Sequence, residues 1–534
     1  MFWADELAAS VTGPQVVNDS KTPSGTVHVG SLRGPVILDV IVRALRAAGR
    51  ETTLLYGVDD LDPMDAQALL TPDAVDRSMG VPLAFVPDPE DDGHASYARH
   101  FAGLFIDTFA GLGIHPDRYY WMSELYAAGE MDRYIRAALD RAAVVREIYL
   151  RVSHVERPTG WLPVHVICPN CGKVGTTLAT DWDGETVEFA CLPDLVAWAT
   201  GCGTTGRLAP FGGAAKLPWN VEWAAQWSHF GVTIEPCGKD LATAGGSRDR
   251  SDALAREVFE RQPPLNVPYE FLNIGGKKMS TSRGRGGAAH RVAEVVPPEQ
   301  LRLLFIRPRP NHAFDWDPDG TDAIPRLFDE SDRIAAATAG RDVRGELPPD
   351  ADRLFAASLV EPDADVAAEA AAYRPAFAHL ALLVQIPSVD VRARIAAEKG
   401  EPLTPHEEAV LERRSAAARA WLAAYAPERA RLTVQRDALP AATADLDAAQ
   451  RHALAALAAT LPGHDAWTGE ALQAAIFDAA RASELPAGHM FAAIYLSFLG
   501  QSNGPRAGWL LAGLDPDFVA ERLRAAAAAD TLHA

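Results

Sequence analysis

Two glycine-rich loops carry residue types that suit the binding of phosphate groups. The first reads Pro23-Ser-Gly-Thr-Val-His-Val-Gly-Ser31 and places Gly25 and Gly30 around His28. Glycine lets a nucleotide approach the backbone closely, and the helix predicted after the loop offers free amides and a positive dipole end to a phosphate. His28 could donate a hydrogen bond to charge that develops on the phosphates. The alternative interpretation is a turn that carries a surface histidine.

The second loop, Gly275-Gly-Lys-Lys-Met-Ser-Thr-Ser-Arg-Gly284, is basic. Its adjacent lysines, its hydroxyls and Arg283 lie between glycine hinges, which suits a mobile clamp on a triphosphate. Such a clamp would neutralise charge as pyrophosphate leaves. A solvated basic loop is the alternative.

Four of the five cysteines lie within the stretch 168–202. Cys168 and Cys171 form a C-x2-C pair followed by glycine, a spacing that places two thiolates on one edge of a zinc tetrahedron. Cys191 and Cys202 have ten residues between them and complete the predicted ligand set less regularly. The alternatives are buried free thiols or another fourth ligand, for which His165 is the candidate. The fifth cysteine, at position 237, is interpreted as ordinary packing.

The elements around these loops predict a parallel, doubly wound α/β sheet. An apolar run precedes the first loop, a long helical pattern begins at residue 35, and a β-type run covers residues 51–56. The α/β pattern returns near residue 231, and ligands of such sheets bind at the carboxyl ends of the strands. Asp240 follows one short strand and could accept the ribose hydroxyls of ATP. Trp219 could wall an apolar and cationic pocket, with core packing as its alternative.

Bulk composition limits the class of protein. The chain has 534 residues with 48% hydrophobic and 23% charged residues, which favours a globular protein of several domains. Its net charge of −21 argues against a general nucleic-acid coating protein but leaves room for one basic face. The sequence has no apolar run of membrane-spanning length and no signal-peptide pattern, so we expect no membrane partner and a cytoplasmic location.

Taken together, the two loops resemble the signature pair of class I aminoacyl-tRNA synthetases. H-V-G-S resembles their HIGH sequence and K-M-S-T-S resembles their KMSKS loop. The segment between them, with K-L-P-W at 216–219 and E-P-C-G-K-D at 235–240, is similar to class I lysyl-tRNA synthetases. Further matches lie at residues 82–89, 269–271 and 503–506, so the resemblance covers nearly the whole chain.

The resemblance implies an α/β fold: a Rossmann-type catalytic domain with a Cys-rich zinc insertion, followed by an all-α C-terminal domain. The implied boundaries are 1–144 and 216–295 for the two catalytic halves, 145–215 for the insertion, 296–340 for a connective segment and 341–534 for an anticodon-binding domain. The implied activity is attachment of lysine to tRNA(Lys) through an adenylate, using ATP with Mg²⁺ and a structural Zn²⁺.

The resemblance also implies site residues. His28 and Lys278 are the expected catalytic residues. The expected ATP-binding residues are Gly25, His28, Gly30, Ser31, Gly238, Asp240, Lys278, Met279, Ser280, Ser282 and Arg283. The expected amino-acid-binding residues are Thr22, Trp219 and Leu241. The expected metal ligands are Cys168, Cys171, Cys191 and Cys202.

Some positions depart from the family pattern. Thr281 and Ser31 fall at positions that related lysyl enzymes also vary, so adenylation is still expected. Leu241 replaces a histidine expected in the amino-acid pocket, and Arg248 replaces a tyrosine and adds a cation nearby. The basic residues expected after the acidic segment at 59–62 are also missing. Either the pocket is rebuilt to hold lysine differently, or the chain is a divergent paralogue for another amino acid.

Three uses of the fold remain open from the sequence. One is tRNA charging, one is amino-acid activation for a carrier or a biosynthetic step, and one is a non-catalytic tRNA-binding regulator.

A basic stretch with Arg302, Arg307 and Arg309 could meet RNA phosphates, with solvated surface arginines as the alternative.

Overall fold

The computed structural model of the protein describes residues 2–65, 72–274, 277–278, 287–386, 389–463, 467–504 and 506–529, with the backbone alone at 72–73 and 277–278. The chain divides into two compact units. The first comprises residues 1–317 and 333–371, and the second comprises residues 318–332 and 372–534. The domain boundaries expected from the sequence remain predictions.

The helices and strands of the first unit are, in chain order, α1 (Trp3–Ser10), β1 (Gln15–Lys21), α2 (Arg33–Ala47), β2 (Thr52–Val58), α3 (Pro72–Ser78), α4 (Tyr97–Ala110), β3 (Arg118–Trp121), α5 (Met122–Ala127), α6 (Asp132–Asp140), α7 (Ala142–Ser153), β4 (His165–Val166), β5 (Thr177–Trp182), β6 (Val187–Cys191), β7 (Thr205–Leu208), β8 (Ala215–Lys216), α8 (Trp219–Phe230), β9 (Ile234–Gly238), α9 (Ser247–Glu257), β10 (Leu265–Tyr269), β11 (Leu272–Ile274), β12 (Lys277–Lys278), α10 (Ala289–Ala293), α11 (Pro298–Ile306), β13 (Phe314–Asp315), the second part of α12 (Ala323–Thr338), α13 (Ala351–Ser358) and α14 (Val366–Ala371).

A five-stranded parallel sheet forms the centre of this unit, in the order β10-β9-β1-β2-β3. β1 and β2 pair from Gln15 and Thr52 to Lys21 and Val58, so both strands end at the same edge. Helix α2 packs on β1 and β2 with nearly all of its residues buried. Helices cover parallel sheets on both faces, and strands β2 and β9 are accordingly buried along most of their length.

A small β-rich insertion lies between α7 and α8. It contains the antiparallel sheet β5-β6-β7 and the antiparallel pair β4-β8. These strands fall within or at the end of residues 145–215, where the sequence predicts a break in the α/β pattern. The predicted Cys-rich insertion therefore forms a distinct β structure.

The described part of the second unit contains helices but no strands. Its helices are the first part of α12, then α15 (Phe377–Leu383), α16 (Val391–Lys399), α17 (Pro405–Ala424), α18 (Ala448–Ala459), α19 (Gly469–Ala482), α20 (Ala487–Leu499), α21 (Ala507–Ala512) and α22 (Pro516–Ala528). Capping boxes start α17 and α18, where Thr404 with Glu407 and Asp447 with Gln450 satisfy the first backbone amides. The predicted fold class, a parallel-sheet domain followed by an all-α domain, is confirmed.

Candidate active site

A cavity of about 550 Å³ opens at the carboxyl edge of the parallel sheet, beyond the ends of β1, β2, β9 and β10. Loops and helix N-termini converge at this edge, which is where open α/β sheets bind ligands. The predicted substrate-binding residues that line the cavity are Thr22, His28, Gly30, Ser31, Trp219, Gly238, Asp240 and Leu241. Gly25 belongs to the same loop but not to this lining.

The first glycine-rich loop connects β1 to a 3-10 turn, Val29–Leu32, which leads into α2. Gly25 has a φ of +139°, in the region where glycine is favoured because a Cβ would clash with its own backbone. The Tyr97 hydroxyl donates a hydrogen bond to the Ser24 carbonyl at 3.2 Å. The Tyr97 side chain thus anchors the loop, and other residues of the loop line the cavity.

The backbone after the second loop pairs with the first loop. Val29 N donates to Gly287 O at 2.9 Å, and Ala289 N donates to Val27 O at 2.8 Å. The backbone of β12 pairs with β11. The side chain of Lys278 lies outside the described residues, as do Met279, Ser280, Ser282 and Arg283. The structure therefore brings the flanks of the two signature loops together.

Arg33, at the start of α2, fastens this end of the site. Its guanidinium is buried and donates to the backbone carbonyls of Glu270, Arg309 and His312. Burial lowers the pKa of Arg33 to about 10, so it stays charged at neutral pH. The side chain ties the first loop to the segments that follow β10 and α11.

Acidic residues line the cavity at the end of β2. Ser20 Oγ and Gln226 Nε2 donate to the Asp59 carboxylate at 2.8 and 2.9 Å. Thr22 Oγ1 donates to Asp62 at 2.6 Å. Burial, with the nearby Asp62 charge, raises the pKa of Asp59 to about 6. Thr22, predicted to contact the amino acid, thus also orients one of the cavity carboxylates.

Lys216 is a buried cation behind this acidic wall. Its Nζ lies 2.5 Å from Asp62 Oδ1 and 3.3 Å from Glu222 Oε1. The Tyr126 hydroxyl donates to the other oxygen of Glu222 at 2.6 Å. Burial lowers the pKa of Lys216, but the two carboxylates raise it more, so the net shift is upward. Burial raises the pKa of Glu222 to about 8, so the charge of this wall at neutral pH depends on Lys216 and on the ligand.

Glu235, on β9, is a further buried carboxylate in the lining. Trp223 Nε1 donates to its Oε1 at 2.5 Å, and Asn18 Nδ2 donates to its Oε2 at 2.8 Å. Burial raises the pKa of Glu235 to about 8. The carboxylate is fixed in position and carries only part of its charge at neutral pH.

A row of tryptophans on α8 forms another wall. Trp219 starts the helix, is 44% exposed and lines the cavity. Its ring centroid lies 5.9 Å from that of Trp223, which lies 4.9 Å from that of Trp227. Residues 219, 223 and 227 are four apart, so they occupy one face of the helix. An exposed indole at the cavity supports a pocket role for Trp219 over ordinary core packing.

Arg248 lies behind the tryptophans, so the expected added cation is near the cavity but does not face it. The residue is 2% exposed and is not a lining residue. Its guanidinium donates to the backbone carbonyls of Glu235 and Pro264 and lies 4.7 Å from the Trp227 ring centroid. Its Nε donates to Asp252 at 2.7 Å. The arginine is therefore a structural support of β9 and β10.

The other departure, Leu241, does face the cavity. It follows Gly238 and Asp240 in a turn closed by a hydrogen bond from Leu241 N to Gly238 O at 3.0 Å. A Cβ at position 238 would lie 2.9 Å from Asp240 Oδ1, so a larger residue there would displace the Asp240 carboxylate. Arg248 N donates to Leu241 O at 2.9 Å, which links the turn to α9. An apolar side chain thus replaces the expected histidine at the pocket surface.

The four clustered cysteines converge in the insertion. Their sulfur atoms all lie within 4.8 Å of one another, with 3.6 Å between Cys168 and Cys202 and 3.7 Å between Cys171 and Cys191. A zinc tetrahedron with Zn–S bonds of about 2.3 Å has S–S edges of about 3.8 Å, so the four thiols fit such an ion. His165 lies outside this cluster, on β4 opposite Lys216. Four sulfur ligands are therefore favoured over a histidine alternative.

A second group of metal-ligand type was missed in the sequence. Ligand atoms of Asp92, His94 and His100 lie within 4.8 Å of one another. His100 is 6% exposed, and its Nδ1 lies 3.2 Å from Asp88 Oδ1 and 3.5 Å from Asp92 Oδ1. Histidine and carboxylate ligands suit zinc. The acidic run at 88–92 with two histidines six residues apart is the signal that could have found it.

The remaining residues singled out in the sequence have structural positions. Arg302 is fully buried, pairs with Asp39 at 2.5 Å and donates to the carbonyls of Leu112 and Ala357, so a role in binding RNA phosphates is wrong for it. Arg309 is half-exposed and pairs with Glu6 at 3.3 Å. The fifth cysteine, Cys237, is buried with its thiol directed to Asn266 at 3.3 Å.

A parallel sheet with an H-x-G loop at its carboxyl edge, beside the residues that follow K-M-S-T-S, defines the catalytic domain of a class I tRNA synthetase. Residues 1–351 match the family described as "tRNA synthetases class I (K)", and residues 421–527 match the family described as "Anticodon binding domain". The first match covers more than half of the chain. The chain therefore belongs to the class I (K) tRNA synthetases.

Curated relatives match over nearly the full length. A lysine–tRNA ligase of Archaeoglobus fulgidus is 31% identical over 98% of this chain and 100% of its own length. Lysine–tRNA ligases of Methanosarcina barkeri and Thermoplasma acidophilum are 30% and 31% identical, each over 98% of both chains. Among the described residues, no helix is long and apolar enough to cross a membrane. The family resemblance seen in the sequence is confirmed.

Proposed function

We propose that the protein attaches lysine to tRNA(Lys) through a lysyl-adenylate in the cavity at the sheet edge. The observation that carries this proposal is the charge of the cavity. Its described lining holds six carboxylate side chains: Asp19, Asp59, Asp62, Glu222, Glu235 and Asp240. Lysine carries two ammonium groups, and a buried acidic pocket beside an indole wall favours such a ligand. The names of the full-length relatives agree with this substrate.

In the adenylation step, the amino-acid carboxylate attacks the α-phosphate of ATP and pyrophosphate leaves. His28 would donate a hydrogen bond to charge that develops on the phosphates, and Lys278 would neutralise it. Asp240 would accept the ribose hydroxyls. The other proposed ATP-binding residues are Gly25, Gly30, Ser31, Gly238, Met279, Ser280, Ser282 and Arg283. Magnesium, held by the triphosphate, would supply further charge neutralisation.

In the transfer step, a hydroxyl of the terminal adenosine of tRNA attacks the adenylate carbonyl, and AMP leaves. The helical domain at residues 421–527 would read the anticodon. The thiols of Cys168, Cys171, Cys191 and Cys202 would hold a structural zinc that stabilises the insertion. A cytoplasmic location fits an enzyme that acts on tRNA.

Pyrophosphate–ATP exchange with each of the twenty amino acids tests the proposal. We expect exchange with lysine, followed by charging of tRNA(Lys) transcript and not of other tRNAs. Exchange with none of the twenty amino acids would contradict the proposed enzymatic activity. The active-site control is H28A, which should lose exchange and keep the fold.

A second candidate substrate follows from Leu241. A site that hydrogen-bonds its substrate can discriminate by factors of about 10⁴, and loss of one polar group relaxes that selectivity. The apolar side chain in the lining therefore favours a divergent enzyme for another amino acid as the alternative. Exchange with another amino acid and none with lysine would support this alternative over lysine.

A further inference from the structure

Lys21 is a cation in the cavity that the steps above leave unused. It is the last residue of β1, and among the described lining residues it is the one lysine or arginine. Lys216, the other ammonium nearby, is held by Asp62 and Glu222 and lies behind the lining. Lys21 is therefore the ammonium that a ligand in the cavity can reach.

The ammonium of Lys21 has no hydrogen bond and no ion pair within 4.0 Å in the described chain. Burial lowers the pKa of Lys21, while the charges of Asp19, two residues earlier on the same strand face, and of Asp59 raise it, so a bound anion would further stabilise the ammonium form. Asp59 already accepts from Ser20 and Gln226. A lysine ammonium has three donors, so this group keeps its hydrogen-bonding capacity for a ligand.

The substrate brings a negative charge into an acidic site. A free carboxylate, and later the α-phosphate of the adenylate, would be repelled by the ionised carboxylates of the lining unless a cation met it. The described lining offers Lys21 for this. A cation at this place would attract the carboxylate of the amino acid and not its side-chain ammonium.

We propose that Lys21 binds the anionic group of the substrate, first the amino-acid carboxylate and then the α-phosphate of the adenylate. This rests on the proposed function, in which the cavity activates an amino acid. Lys21 is then a substrate-binding residue that fixes the direction in which the amino acid enters. Hydrogen bonds that involve an ionised group contribute enough to change affinity about 10- to 100-fold.

The test compares lysine with lysinol, in which a neutral CH₂OH replaces the carboxylate. Binding of both is measured by calorimetry on the full chain for the wild type, K21M and K21R. The wild type should bind lysine more tightly than lysinol by about 10-fold or more. K21M should lose that preference by weakening lysine alone, and K21R should restore part of it because it keeps the charge.

Three results would overturn the proposal. In the first, the wild type binds lysine and lysinol equally. In the second, K21M binds both ligands more weakly to the same extent. In the third, K21M binds lysine more tightly than the wild type does, because a repulsive charge has gone. K239M is the matched control, since Lys239 is half-exposed and pairs with Glu270. If K21M fails to fold, K21Q takes its place in the same comparison.

A failure of the proposed function can be distinguished from a failure of the proposed role of Lys21. If the wild type shows no exchange with lysine, the same comparison is made with the amino acid that does support exchange and its amino alcohol. A carboxylate preference that K21M removes would then support the role of Lys21 without lysine as substrate. Its absence would overturn that role.

Discussion

Lys216 and Arg248 are both buried cations next to the cavity, yet they support it in different ways. Lys216 pairs with the side-chain carboxylates of Asp62 and Glu222, which themselves line the cavity. Arg248 donates mainly to backbone carbonyls and packs under Trp227. The first cation therefore sets the charge that a ligand meets, and the second sets the position of strands and rings. Nearness to a substrate motif does not decide which role a charged residue has.

The largest expected effect is that of K216M, which should lower the free energy of unfolding by about 3–5 kcal/mol. Removing the ammonium leaves two buried carboxylates without their partner. Exchange activity should fall about 100-fold, because Asp62 and Glu222 then repel each other and move. Urea denaturation and exchange assays measure both effects. K239M, which breaks an exposed pair, should change stability by no more than about 1 kcal/mol; equal effects of the two variants would contradict the assigned role of Lys216.

R248M should lower the free energy of unfolding by about 3 kcal/mol, because the buried carbonyls of Glu235 and Pro264 lose their donor. Its exchange rate at a temperature where it is folded should fall by less than about 10-fold, since the side chain does not face the ligand. Denaturation and steady-state kinetics on the same preparation separate the two effects. Unchanged stability with a raised KM for lysine would mean that Arg248 contacts substrate after all.

E235Q tests a carboxyl group that is held in place by hydrogen bonds and not by a paired cation. The folded-state pKa of Glu235, about 8, exceeds the unfolded value, so the folded protein binds more protons between the two. The stability due to this group is therefore present at acid pH and lost as pH rises through about 8, by at most about 1.4 kcal/mol per pH unit. E235Q should be more stable than the wild type at pH 8.5 and equal to it near pH 5. A difference independent of pH would rule out this titration.

The smallest effect is expected for L241H, which restores the histidine that the family resemblance implies. If the cavity holds lysine, one added neutral hydrogen bond should lower the KM for lysine about 2- to 10-fold. Stability should change little, since Leu241 is only partly buried. Kinetics with lysine and arginine as competing substrates measure the change. A raised KM for lysine would favour a pocket already adapted to a different ligand.

The fold and the place of the site follow from local sequence patterns, since glycine loops after apolar strands fix the carboxyl edge of a parallel sheet. Short motifs of the same kind locate the signature loops and the Cys cluster. The burial of Arg248 and Arg302 could not be predicted from the sequence, because it depends on which distant backbone carbonyls surround a guanidinium. The cluster of Asp92, His94 and His100 was missed because its residues lack a short cysteine motif. The acidic wall around Lys216 depends on contacts between four separate segments.

The pairing of the two signature flanks has a consequence for synthesis of the chain. Val27 and Ala289 are hydrogen-bonded across 262 positions, whereas the four thiols close within residues 168–202. Contacts between distant residues form late because a long loop must close first. A growing chain can therefore fold its Cys-rich insertion before the two signature loops meet. No ribosome-bound fragment shorter than about 289 residues can bind ATP between both loops.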